Sequence, residues 1–313
     1  MSISLCGTSV GNTGAIQCDV APGIPVKFMI WNDSAAISAV EGSQFQPYFE
    51  TASKLSKTAA GKVFVFPVIQ DIADKSEGNK EGALNQGFKT VLLEGKQAYD
   101  FKVFAGQSLV PQLRKFNNQN IKILMLDANN RVWGVKSGLN FVGTQVKIFT
   151  GGLKFATGQN VEEGVVSISV SYLVASELND DASFGEIDSA AGIIGLLDAN
   201  VTYISNIANV YKIGVEVPTA EIGSTINLGD TYAVELANAA LWTAKTGVNY
   251  GTTLVITSVA YDSTLNCYTV TFDSTAYTAL ASGAKIKLNL AAPPVLDAAD
   301  VDGIEGIEVI LTK

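Results

Sequence analysis

The sequence predicts a mainly β protein, and three observations predict it. Apolar and polar residues alternate over short runs, turn-forming residues separate those runs, and helical spacing of apolar residues is rare. The clearest run is Val165 to Val174, where Val166, Ile168, Val170 and Tyr172 alternate with Ser167, Ser169 and Ser171. Residues 1–212 read as a β-rich block of sandwich or barrel-like type with one or two short helices, and residues 213–313 as a second, separate β block.

Residues 1–25 read as an N-terminal arm. Its run Gly7-Thr8-Ser9-Val10-Gly11-Asn12-Thr13-Gly14 is rich enough in glycine to suggest a phosphate cradle. A cradle of that kind needs Lys and Ser or Thr after its last glycine, and Ala15-Ile16 stand there instead. No strong apolar strand precedes it either, as a dinucleotide fingerprint would require. Thr51 to Lys62, with Ser53-Lys54 and Ser56-Lys57, reads as an exposed polar loop. Val63 to Phe66 is a short strand ended by Pro67, and Phe88 to Leu93 is another. From Gln107 to Asn117, Leu109, Leu113 and Phe116 share one helical face, and Pro111 restricts that helix to a first turn or a kink. Ile121 to Leu126, the turn Asp127-Ala128-Asn129-Asn130 and Arg131 to Val135 form a hairpin, because Asp and Asn tolerate the left-handed geometry of tight turns. Val146 to Phe149 follows and is broken by Gly151-Gly152. Glu186 to Leu197 is a weaker helix candidate interrupted by Gly192 and Gly195, and for both candidates connection between sheets is the preferred reading.

The texture changes near Tyr211–Gly214. Strand candidates then recur at Thr225 to Leu228, Tyr232 to Leu236, Thr253 to Tyr261, Cys267 to Phe272, Lys285 to Leu290 and Ile307 to Leu311. That density of short strands in about a hundred residues predicts an immunoglobulin-like β-sandwich, with Trp242 in its core. Asp262 to Asn266 reads as a hairpin loop, and Pro293-Pro294 as a connection that cannot donate ladder hydrogen bonds.

Composition narrows function. The chain has no histidine, so no catalytic triad or imidazole-bound metal can be built from it alone. Only 16% of residues are charged, against roughly a quarter in a typical domain, which points to surface buried against other chains. Mean hydropathy is +0.25, yet no run approaches the ~20 apolar residues that span a bilayer. Lys27 is the first base, so no secretory leader is expected. Cys6, Cys18 and Cys267 have no metal spacing and read as packed thiols of a reducing cytoplasm.

Residues 213–313 carry 4 bases and 11 acids. Between Lys154 and Lys212 there is no base, but there are Glu162, Glu163, Glu177, Asp180, Asp181, Glu186, Asp188 and Asp198. Gripping nucleic acid requires Lys and Arg against phosphates, so that role is disfavoured. The first seven of these acids, Glu162 to Asp188, are instead candidates for a lumen or an interface that DNA passes without sticking. Asp297 to Glu305 resembles a calcium loop, but with Gly303 at the sixth position Ala298 and Val309 occupy the first and twelfth. No catalytic, cofactor-binding or metal-binding residue is assigned, and no enzyme is expected.

The block Ile121 to Tyr172 resembles structural proteins of tailed bacteriophages that infect Bacteroidota-type hosts. It runs strand, Asp-Ala-Asn-Asn turn, Arg131-Val132-Trp133-Gly134, a glycine-punctuated connection and the long Ser/Val strand. A C-terminal immunoglobulin-like block ending in Gly303-Ile304-Glu305-Gly306-Ile307-Glu308 is similar in style to those virion proteins. The resemblance implies a homo-oligomer, first a ring-forming tail-tube protein, with an arm or loop reaching a neighbour and other virion proteins as partners. It implies passive proximity to DNA, no membrane, and location in the virion after synthesis in the host cytoplasm. A head decoration, head-fibre or capsid-associated protein and a surface adhesin or receptor-binding protein are the alternatives.

Overall fold

The structure is a computed structural model that describes residues 23–31, 37–38, 45–83, 89–93, 95–104, 109–152, 165–174, 181–189, 191–219 and 224–313. The chain is mainly β: among the described residues 51% are in strands and 14% helical. The expected arm 1–25 lies almost wholly outside the described residues, as do Cys6, Cys18 and the glycine-rich run.

The N-terminal strands are β1 (Pro25–Trp31), β2 (Ile37–Ser38), β3 (Val63–Val65), β4 (Ile69–Asp74), β5 (Lys80–Ala83), β6 (Lys89–Leu93), β7 (Ala98–Phe104), β8 (Asn120–Asp127), β9 (Arg131–Ser137), β10 (Asn140–Val142), β11 (Thr144–Thr150), β12 (Val165–Tyr172) and β13 (Ala182–Glu186). Strand β1 ends in four consecutive apolar residues, Phe28-Met29-Ile30-Trp31, all buried. A strand is apolar on every residue when both its faces are covered. Phe28 and Ile30 point into one core, Met29 and Trp31 into another.

The first core lies inside a closed ring of strands. Antiparallel pairing runs β1–β8–β11–β12–β7–β4. The chain passes from β3 to β4 within three residues, β3 pairs back onto β1, and Phe66 N donates to Phe28 O at 3.1 Å. Phe101, Val103, Ile123, Val146, Ile148, Ile168 and Val170 fill the interior. With β3 and β4 joined by the chain, β1 and β7 each have a paired strand on both edges. The helix Leu109–Arg114 seats Val110 and Leu113 on this core, and Pro111 sits in its first turn, where a missing N–H costs little. The second core lies on the outer face of β1 and β8. There Leu124, Leu126, Val132 and Phe141 meet Phe45 and Phe49 of the helix Phe45–Ser53. Gly185 of β13 makes room for that helix, because a Cβ there would sit 2.2 Å from the Phe45 ring.

The C-terminal strands are β14 (Leu197–Ile207), β15 (Val210–Pro218), β16 (Thr225–Asn227), β17 (Trp242–Thr246), β18 (Thr252–Thr253), β19 (Ile256–Asp262), β20 (Cys267–Phe272), β21 (Lys285–Leu290), β22 (Ile304–Ile307) and β23 (Val309–Thr312). One sheet has the order β19-β20-β15-β14-β22 with β16 beside β15, and the other β18-β17-β21-β23. Tyr211, Ile213, Tyr268 and Phe272 of the first share one core with Trp242, Ala244, Ile286 and Leu288 of the second. Trp242 is 4% exposed, and its indole N–H donates to Leu236 O at 2.8 Å. Cys267 is a free, buried thiol.

The boundary expected between residues 212 and 213 meets β15, which spans both residues and shares a sheet with β14. Other expectations are corrected. Tyr232 to Leu236 is a turn leading into a 3-10 helix, with Leu236 N on Tyr232 O at 3.0 Å, and Val234 is 81% exposed. Of the two helix candidates read as connections, Leu109–Arg114 is a helix, whereas Glu186 to Leu197 forms none among its described residues, since β13 ends at Glu186 and β14 begins at Leu197. Gly192 there packs so closely that a Cβ would meet the Glu50 carboxylate at 2.4 Å. Pro293-Pro294 opens a short helix, Pro293–Asp297, as proline can at first helical positions. The loop expected at Thr51 to Lys62 begins inside a helix, and both Ser53 and Lys62 are buried.

Candidate functional site

The seven acids singled out from sequence do not form one described cluster. Glu162, Glu163, Glu177 and Asp180 lie outside the described residues. Asp181, Glu186 and Asp188 flank or end β13, which pairs with β9, and all three are exposed. Their local contacts are modest. Lys136 N donates to Asp181 O at 2.8 Å, Glu186 lies 3.6 Å from Arg131 Nε, and Asn130 Nδ2 donates to Asp188 O at 3.5 Å. The base-free stretch is divided among three places: β12 in the ring wall, β13 on β9, and β14 in the C-terminal sheet. Shared charge sign in sequence therefore does not become one shared surface.

A different element leaves the body of the molecule. Strands β4 and β7 pair in the ring wall, and the same two chain segments continue outward. Lys75 N donates to Ala98 O at 2.8 Å and Glu77 N to Lys96 O at 3.0 Å, after which β5 and β6 pair only with each other. The described residues between 69 and 104 thus pair as the two arms of one long hairpin. Residues 73–81 are exposed without interruption. A two-stranded ribbon without a covered face is marginally stable in water. Side chains therefore lock this one locally. Ser76 N donates to Asp74 Oδ1 at 2.8 Å and Ala98 N to Ser76 Oγ at 3.2 Å, and Gly95 N donates to Asn79 Oδ1 at 2.7 Å. The hydrogen bonds from Ser76 hold the Asp74 carboxyl below its usual range. Gly95 is required by close approach, because a Cβ would come within 1.9 Å of Glu77 O.

Charge gathers on this hairpin. Residues 69–104 contain six acids and five bases, in a chain only 16% charged. The signs alternate along it, so it can meet a copy of itself or a mixed-charge neighbour without net repulsion. Sequence reading found β6 within Phe88 to Leu93 but missed the hairpin. The available signals were the local charge density and the glycines Gly78 and Gly95.

A second exposed element is the tip of the β14–β15 hairpin. Tyr203 is 49% and Ile207 83% exposed, and residues 199–211 contain no charged side chain. The partner β22 covers only Leu197 to Asn200 of β14, so the outer edge beyond is unpaired among the described residues.

Between the two halves runs a polar seam with a fixed polarity of charge. Lys54 meets Asp297 at 2.6 Å, Lys57 meets Asp198 at 2.8 Å, and Glu305 accepts from Ser56 Oγ at 2.6 Å and Lys57 N at 3.0 Å. The N-terminal half supplies the bases and the C-terminal half the acids. A hydrogen bond from Asp302, then the Lys54 ammonium, holds the Asp297 carboxyl below its usual range, and the same Asp297–Asp302 bond raises Asp302. These are the acids of the failed calcium register, and they serve the seam. Among the described residues no group of three or more Cys, Asp and Glu is placed to hold a metal ion, and no helix is long and apolar enough to cross a membrane.

Comparisons with protein-family models, with curated proteins and with solved structures give no match.

Proposed function

We propose that the chain is a structural subunit that works by assembling with copies of itself, without turnover, as a ring-forming tail-tube protein of a bacteriophage virion does. The single observation that carries this reading is the hairpin of residues 69–104. It extends from the ring of strands, its described outer strands pair only with each other, and residues 73–81 on it are exposed throughout. Ordering a ribbon that long costs conformational entropy which only a partner's surface repays. A rigid ring of strands with a projecting ribbon is the geometry of a heterologous contact, in which one copy's arm lies on the next copy's body and the rotation closes into a ring.

The remaining features fit this reading. The ring of strands supports a barrel-like assembly block, and two facing sheets around Trp242 support an immunoglobulin-like sandwich appended to it. Net charge of −9 would keep passing DNA from adhering to an assembled conduit. Such a protein is made in a bacterial cytoplasm and ends in the virion beside other virion proteins.

Assembly is the test. Sedimentation and electron microscopy of the purified full chain should show closed rings or stacks of them. A variant in which residues 76–96 are replaced by an Asn-Gly turn should remain monomeric while its near-ultraviolet circular dichroism keeps the native form. A native chain that stays monomeric at high concentration, or a shortened variant that still forms rings, overturns the proposal. Attachment of pre-formed monomers or trimers to capsids would favour head decoration instead.

A further inference from the structure

Beside the seam the two halves enclose an open cavity of about 550 Å³, within the size range of small-molecule sites. Phe64, Phe66, Leu113 and Phe116 line it from the N-terminal half, and Leu196 and Val217 from the C-terminal half. Its charged lining is almost entirely committed. Lys57 pairs with Asp198, Glu305 accepts from Ser56 and Lys57 N, and Lys115 donates to Gln112.

Lys62 is the exception. The residue is 4% exposed, and its Nζ donates to Ser53 O at 2.5 Å and stands 5.8 Å from the centre of the Phe64 ring. An ammonium carries three N–H groups, and among the described residues Ser53 is the one hydrogen-bond acceptor that Lys62 has. No carboxylate lies within ion-pair distance of it among the described residues. Burial drives this ammonium down to about 8, and the more distant Glu305 charge opposes that only in part. A buried cation with unanswered donors is costly unless an anion reaches it.

We propose that this cavity is a binding site for an amphipathic carboxylate. Its head accepts from the Lys62 ammonium, and its hydrocarbon body lies between the Phe64–Phe116 wall and Val217. The seam acids disfavour a second anionic group, so a monocarboxylate with an uncharged aliphatic tail is the matching class. This site is independent of the assembly reading, since none of its residues lies on the long hairpin.

Calorimetric titration of the full chain with decanoate and with decanol separates head from tail. Decanoate should bind about tenfold or more tighter than decanol, as one charge-assisted hydrogen-bonded pair provides. Lys62→Gln should bring decanoate down to the decanol level and leave decanol unchanged, whereas Lys62→Arg should keep most of the difference. Val217→Trp, which fills the cavity from the other half, should abolish binding of both. Equal binding of decanoate and decanol by the native chain, absence of binding, or decanoate affinity untouched by Val217→Trp would overturn the proposal. The Arg and Trp variants keep the test decisive if Lys62→Gln fails to fold.

Discussion

Asp127 shows how one side chain can fix a hairpin. Its carboxylate is 3% exposed and accepts from Asn129 N, Arg131 N and Gly23 N at 2.9 Å each and from Trp133 Nε1 at 2.8 Å. Burial alone would raise its pKa, but the four donors together outweigh burial and hold it below the usual carboxylate range. The folded state therefore binds this proton more weakly than the unfolded state does. The stability it contributes is complete above the unfolded pKa of about 4 and is lost as pH falls through the lower folded value. Asp127→Ala should cost about 3 kcal/mol at neutral pH, because buried donors lose their acceptor. Asp127→Asn should cost less and should flatten the acid limb of stability, read as urea midpoints between pH 2 and 5. An acid limb unchanged in Asp127→Asn would assign the loss of stability to other carboxylates.

Among the elements, the β14–β15 turn carries a local cost. Ala208 stands there at φ 52°, a left-handed conformation that an L residue with a Cβ enters at about 1 kcal/mol or more. Ala208→Gly should stabilise the fold by about 0.5 kcal/mol after the greater unfolded-state freedom of glycine is subtracted. Guanidinium denaturation checks this, and a lower midpoint would show that the turn relies on the methyl group. The strands most legible in the sequence are those with one dry face. Cys267–Phe272 and Lys285–Leu290 alternate in the sequence and are buried in alternation, and the Asp127 turn was marked by its Asx residues. Strand β1 was not legible, because Phe28 to Trp31 are buried on both faces and leave no alternation to read. The long hairpin fails for the opposite reason: residues 73–81 are exposed throughout, so no buried face imposes a pattern on them. The acids near β13 were visible as a group only along the chain, and pairing distributes them by strand order, which composition does not encode.

At the scale of the whole molecule, the position of the division has a direct consequence. The C-terminal core draws only on residues from Ala199 to Leu311, so β14 and β15 are part of it. A fragment of residues 195–313 should fold cooperatively, with Trp242, its one tryptophan, in a blue-shifted buried environment. A fragment of residues 213–313 lacks Ala199, Val201 and Tyr211 and cuts β15, and it should not fold. Equal thermal transitions for both fragments would place the division elsewhere. The seam is no obstacle to separation, since ion pairs that keep part of each side chain in water, as Lys54–Asp297 and Lys57–Asp198 do, are worth about 0–1 kcal/mol each. Both halves contain pairings between distant parts of the chain. β1 pairs with β8, about a hundred residues further along the chain, and the ring wall is incomplete until β12 is present. In the C-terminal sheets β14 pairs with β15 and β19 with β20, neighbours in sequence, while β14 also pairs with the distant β22. Contacts across long stretches of chain form slowly, because loop closure must come before any stabilisation. During synthesis Phe28 to Trp31 wait for their partners while most of the N-terminal half emerges, so the ring is the step at which a growing chain is open to wrong pairing.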